Sequence, residues 1–117
     1  MSVSALLDRI RQHPQDIQFD EVMAVIASHY DYQPTRFRNG DTVNEAGQNE
    51  GSCKLFAFAR LNGLDPAQTL ACFGDYYRQD VLQHPEGSDH ANIRNFMLHG
   101  WDGIAFDGDA LSPKPTA

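Results

Sequence analysis

The sequence predicts a mainly α domain of the α+β class, about five helices with a minor two- or three-stranded β element. Three observations carry that expectation. Apolar residues recur at the i, i+3, i+4 spacing of a helix face in several separate stretches. Asn39-Gly40, a dipeptide suited to tight hairpin turns, stands between Phe37 and Val43. In "GIAFDG", Ile104 and Phe106 alternate between glycines as in a half-buried strand.

Each element can be placed in order. Val3, Leu6, Leu7 and Ile10 define a first helix over about residues 3 to 12, stopped by His13-Pro14 because proline restricts its predecessor. Phe19, Val22, Met23, Ile26 and Tyr30 define a second over about 20 to 30, with Asp20 and Glu21 at its positive start. From Asp31 to Gly51 helical periodicity is lost, a long connection of the kind that carries function or hides short strands. A hairpin in "TRFRNGDTVN" is the expected strand pair.

Gly51 or Ser52 caps a third helix that is apolar on nearly every side and therefore central, and Gly63 ends it. In "LDPAQT", Asp65, Pro66 and Gln68 form a capping box that opens a fourth helix, expected from Pro66 to about Gln83 with Leu70, Phe73, Tyr77 and Val81 inward. Ser88 or Asp89 caps a fifth, which carries Ile93, Phe96 and Met97 until Gly100. The domain is expected to span residues 1–108. Residues 109–117 read as a flexible tail, since "SPKPTA" holds two prolines and no apolar anchor beyond Leu111.

Composition narrows the function classes. The chain has 117 residues, 41% hydrophobic and 21% charged, the profile of one globular domain. No apolar run is long enough for a membrane span, and "MSVSALLDRIRQ" lacks the layout of a secretory signal, so synthesis in a cytosol is expected. Sixteen acidic residues against nine basic ones give a net charge of −7. Such a surface repels polyphosphate, and nucleic acid is not an expected partner. Two cysteines, Cys53 and Cys72, suit reduced thiols. The five histidines show no metal-ligand spacing. Neither a metal nor a cofactor is expected.

Two constellations remain. Cys53 lies near a helix start that favours a thiolate, Gln48 upstream offers an oxyanion donor, and His90 follows Asp89 at another helix start. A cysteine hydrolase or transferase can be written on Cys53 and His90. Magnitudes count against it: lowering a thiol from about 8.5 by two units needs roughly 2.7 kcal/mol, whereas a helix start supplies ~0.3–1 kcal/mol. Cysteine is also a small buried residue, and core packing explains Cys53 as well. The second constellation is Asn44, Glu45, Gln48 and Asn49, amides and a carboxylate suited to a small polar ligand or a partner's backbone. The bland account is that they satisfy their own irregular backbone.

"HYDYQPTRFRNGDTVNEAGQNEGSCKLFAFARLNGL", "QTLACFGDYYRQDVL" and "HANIRNFMLHGWDGIAFDG" closely resemble the HopJ type III effector family over about residues 19 to 108. The resemblance implies a small α-rich bacterial domain, made in the bacterial cytoplasm and open to delivery into a host cell by a type III system. It transfers no catalytic residue. The function expected is non-enzymatic binding through the polar loop of residues 31 to 51, with the cysteine enzyme as the alternative.

Overall fold

The computed structural model describes residues 1–115. Helix α1, Val3–Gln12, opens where the Ser2 hydroxyl accepts from the Ala5 N–H at 3.0 Å and buries Leu6 and Ile10. A short 3₁₀ turn, Pro14–Asp16, leads to α2, Phe19–His29. Arg9 of α1 is ion-paired with Glu21 in the first turn of α2. Strand β1, Tyr30–Tyr32, follows α2 directly.

Strands β2, Phe37–Asn39, and β3, Thr42–Asn44, form the expected hairpin, and β4, Ile104–Phe106, pairs with the other edge of β2. The turn itself differs from expectation. Asn39 stays in the strand opposite Thr42, and the two loop residues are Gly40 and Asp41. Only the first of them has positive φ, +60° for Gly40, the pattern of a type II′ rather than a type I′ turn. Asn39 is thereby free to point its side chain into the interior, where it is fully buried.

Helix α3, Glu50–Leu61, is the central rod, with Cys53 and every residue from Leu55 to Ala59 buried. It begins earlier than expected, capped by Asn49. Phe56 is the hub of the core, with ring centroids of Phe37, Phe73, Phe96 and Trp101 at 5.0–6.3 Å. Gly63 at φ +67° turns the chain out of α3. The Asp65–Gln68 capping box then starts α4 as expected, with bonds of 2.7 and 3.0 Å.

Helix α4 is shorter than the periodicity predicts. It covers only Pro66–Ala71, and a π-helical segment, Tyr76–Val81, replaces the rest. Gly74 is the cause. It sits at φ +62°, and a Cβ there would lie 2.8 Å from the Phe19 backbone nitrogen and 2.9 Å from the Gln18 Cα. The chain breaks because it must pass hard against the start of α2. Leu70, Phe73 and Val81 still face inward. Arg78 holds the break in place by donating to the carbonyls of Pro14 at 3.2 Å, Ile17 at 2.5 Å and Ala71 at 3.5 Å.

Helix α5, Ala91–His99, ends at Gly100, and a 3₁₀ turn, Gly100–Gly103, leads into β4. A last strand, β5, Leu111–Pro113, pairs antiparallel with β1. This corrects the expected tail from residue 109. Leu111 is buried and anchors the strand, Pro113 falls at its end where its missing N–H is tolerated, and Lys114 continues the contact by donating its N–H to the His29 carbonyl at 3.0 Å. Residues 116–117 of the expected tail lie outside the described residues. The architecture is α+β, five α-helices with sheets of two and three strands among the described residues. None of these helices is long and apolar enough to cross a membrane.

Candidate functional site

The start of α2, the start of α3, the π-helical segment and the start of α5 meet around Phe19. Its ring stacks on Phe73, with centroids 6.1 Å apart, and meets Tyr76 edge-on at 5.4 Å. Glycine makes room for it: a Cβ on Gly51 would lie 2.8 Å from the Phe19 ring. Two cavities open on this aromatic floor and share Phe19, Phe73 and Tyr76. One, of about 480 Å³, is bounded by Thr42, Asn49, Gly51 and Ser52 on one side and by His90 to Ile93 on the other. The second, of about 350 Å³, is bounded by Gln18, Asp20, Asp75 and Asp80.

The larger cavity has an unusual pair of entrances. Asn49 and His90, the N-caps of α3 and α5, have φ of 50° and 52°, and they are the non-glycine residues with positive φ among those described. An N-cap ordinarily has extended dihedrals. A left-handed cap brings the chain into each helix from an abrupt angle and costs about 1–2 kcal/mol per residue. Both strained caps border one cavity. The His90 Nε2 is 3.2 Å from Asp80 Oδ2, and its ring lies 5.5 Å from that of Tyr76, which ties the π-helical segment to the start of α5.

An amide network fixes the two walls relative to each other. Buried Asn44 accepts at its Oδ1 from Asn49 Nδ2 at 2.7 Å and from Asn92 Nδ2 at 3.0 Å, and donates to Asn92 Oδ1 at 3.1 Å. Asn39 joins by donating to the Asn92 carbonyl at 2.7 Å. Asn95 extends the tie to the hairpin by donating to Thr42 Oγ1 at 2.7 Å and to the Asn39 carbonyl at 3.1 Å. Asn44 thus lies beneath the cavity wall, with 1% of its surface exposed, whereas Asn49 lines the cavity.

The other two residues of the expected binding set are exposed and bond to each other within their own loop. The Glu45 N–H donates to Gln48 Oε1 at 3.1 Å, and the Gln48 N–H donates to the Glu45 carbonyl at 2.9 Å. The Glu45 carboxylate accepts from Arg36 Nε at 3.4 Å, and Arg36 also pairs with Asp107 at 3.2 Å. Among the four, Asn49 alone lines the cleft.

The proposed catalytic pair is not joined by a hydrogen bond. Cys53 is 1% exposed, its Sγ donates to the Thr35 carbonyl at 3.6 Å, and its N–H is engaged by the Asn49 carbonyl at 3.0 Å. The free N–H groups that would favour a thiolate belong to the preceding turn. Burial pushes the Cys53 thiol up from its ordinary value, outweighing the bond to Thr35. Burial and the neighbouring Glu50 likewise raise the Tyr32 hydroxyl. Both stay protonated at neutral pH. His90 faces Asp80 and Tyr76 instead of the thiol.

Phe19, Asp20, Tyr76, Asp80 and Asn92 border the groove without having been singled out from the sequence. Phe19 and Asp20 come from the start of α2, Tyr76 and Asp80 from the π-helical segment and Asn92 from α5, and no spacing rule connects these three places.

A family model described as HopJ type III effector protein matches residues 3–111. The chain is also similar to a crystal structure of VPA0580, a protein described as of unknown function, with 54% identity and a TM-score of 0.96 over 97% of this chain and 95% of that one. No match was found among the curated proteins. The model match spans every element from α1 to the first residue of β5, and on that extent the chain belongs to the HopJ type III effector family.

Proposed function

We propose that the chain is a non-enzymatic binding protein, and that its ligand or partner segment sits in the groove between the starts of α2, α3 and α5. One observation carries this reading: an aromatic floor of Phe19, Phe73 and Tyr76 with Asn49, Ser52, His90 and Asn92 converging on it. A binding cleft is ordinarily of this make, apolar surface for contact and a few polar groups for orientation, at about 300–1,000 Å³. The loop of residues 31 to 51 serves it in two ways, by Asn49 at the wall and by Asn44 beneath. Membership in a type III effector family supports a setting of production in a bacterial cytoplasm and delivery into a host cell by a type III system.

A cysteine hydrolase or transferase on Cys53 and His90 has no comparable support, since the thiol is buried, protonated and committed to Thr35. The test is amide chemical-shift mapping of the isotopically labelled chain against mixed polar metabolites and short peptides. Shifts gathered at Phe19, Asn49, Ser52, Tyr76 and His90 are expected. Ligands that shift other surfaces and leave these residues still would overturn the proposal, and Cys53→Ala should leave the map unchanged.

A further inference from the structure

The two halves of the groove differ in charge, and the difference names a class of occupant. Around the smaller cavity the rings of Phe19, Phe73 and Tyr76 are bordered by the carboxylates of Asp20, Asp75 and Asp80. Asp75 is shared with Arg78 at 3.7 Å and Asp80 with His90 at 3.2 Å. Asp20 is exposed and has no ion pair among the described residues. Tyr76 is 45% exposed, so an aromatic ring is available beside the carboxylates. Aromatic surface with anionic groups at its edge attracts an organic cation twice over, through the ring quadrupole and through charge. The net charge of −7 steers the same kind of partner toward the surface.

We propose that this half of the groove binds an arginine or lysine side chain presented by a peptide segment of a partner protein, an inference that rests on the groove being the binding site. A peptide is favoured over a free amine because the groove is open to solvent. An open groove cannot enclose most of a small molecule, whereas a side chain arrives with its backbone, which extends over Asn49 and Ser52 in the adjoining cavity.

The experiment titrates the full labelled chain with capped glycine-serine peptides that carry one central arginine, lysine, citrulline or glutamate, and with guanidinium chloride at matched ionic strength. The arginine and lysine peptides should shift Phe19, Asp20 and Tyr76, and citrulline should bind about tenfold more weakly. Asp20→Asn should weaken the arginine peptide severalfold and Tyr76→Ala about tenfold. Asp8→Asn, which removes the same charge on α1, should not. Asp20 makes no internal ion pair, so its variant tests the idea even where Tyr76→Ala fails to fold. Citrulline or glutamate peptides that bind the groove as well as arginine would overturn the cation assignment while leaving the groove a binding site. Guanidinium ion shifting the groove as strongly as the arginine peptide would overturn the peptide assignment. A groove silent to both basic peptides overturns the inference, and if it also ignores every polar ligand, the reading beneath it falls too.

Discussion

The loop from Asn44 to Asn49 and the groove around Phe19 are both rich in groups that could hold a ligand, yet one is closed and the other open. In the loop, Glu45 and Gln48 bond each other's backbone, and Asn44 makes its bonds to Asn49, Asn92 and the Phe37 carbonyl. In the groove, aromatic faces and carboxylates line cavities open to solvent. A polar stretch of sequence marks a site only when its hydrogen-bonding capacity exceeds what its own backbone demands. On the proposed reading the loop is a scaffold beside the groove, with Asn49 at the cavity wall and Asn44 buried beneath it.

The largest effect should come from the groove's far wall. Gly74→Ala places a Cβ against the α2 backbone at positive φ and should destabilise the fold by about 2–4 kcal/mol, read from the urea midpoint. A cost below 0.5 kcal/mol, on the order of an ordinary surface change, would show that the wall is compliant. Asn44→Ala removes the shared partner of Asn49 and Asn92 and should cost about 1–3 kcal/mol. It should also weaken groove binding, whereas Gln48→Ala should do neither. If Gln48→Ala abolishes binding and Asn44→Ala spares it, loop and groove exchange roles.

A smaller effect separates the buried interior from both regions. Burial pushes the Cys72 thiol up to about 12. Its unfolded value is about 8.5, so over that window the unfolded chain releases the proton first and native stability falls as pH rises. Below the unfolded value the contribution is complete. Stability should drop by about 1.5 kcal/mol between pH 8.5 and 10, and Cys72→Ala should flatten the slope. Native iodoacetamide labelling of Cys53 should be slow at pH 7 and rise only above the ordinary thiol range. Rapid labelling at neutral pH would contradict a buried, protonated Cys53.

Much of the fold was legible because it follows local rules. The periodic faces of α1 and α2, the Asp65–Gln68 capping box and the strand of Ile104–Phe106 all depend on neighbours in sequence. The break in α4 was hidden because the inward spacing of Leu70, Phe73 and Val81 continues across Gly74. What ends the helix is the close approach of α2, which no local pattern reports. The strand at Leu111 was hidden for the same reason, since its partner is Tyr32. The candidate site was legible at Asn49 and at His90, the latter expected as half of a cysteine dyad and found at the cavity wall. The rest of the groove is assembled from segments near residues 19, 50, 75 and 90, and the left-handed caps that shape it are Asn and His, types that tolerate such dihedrals without advertising them.

The pairing of β1 with β5 has a kinetic meaning. It joins Tyr30 to Pro113, so its closure must organise most of the chain, whereas the β2–β3 hairpin closes over two residues. Closure entropy grows with loop length, and contacts of long sequence separation form slowly. The ladder is three residues long and ends in a proline. It is the last part of the sheet structure expected to form and among the first to open, which makes this edge of the molecule the natural starting point for unfolding.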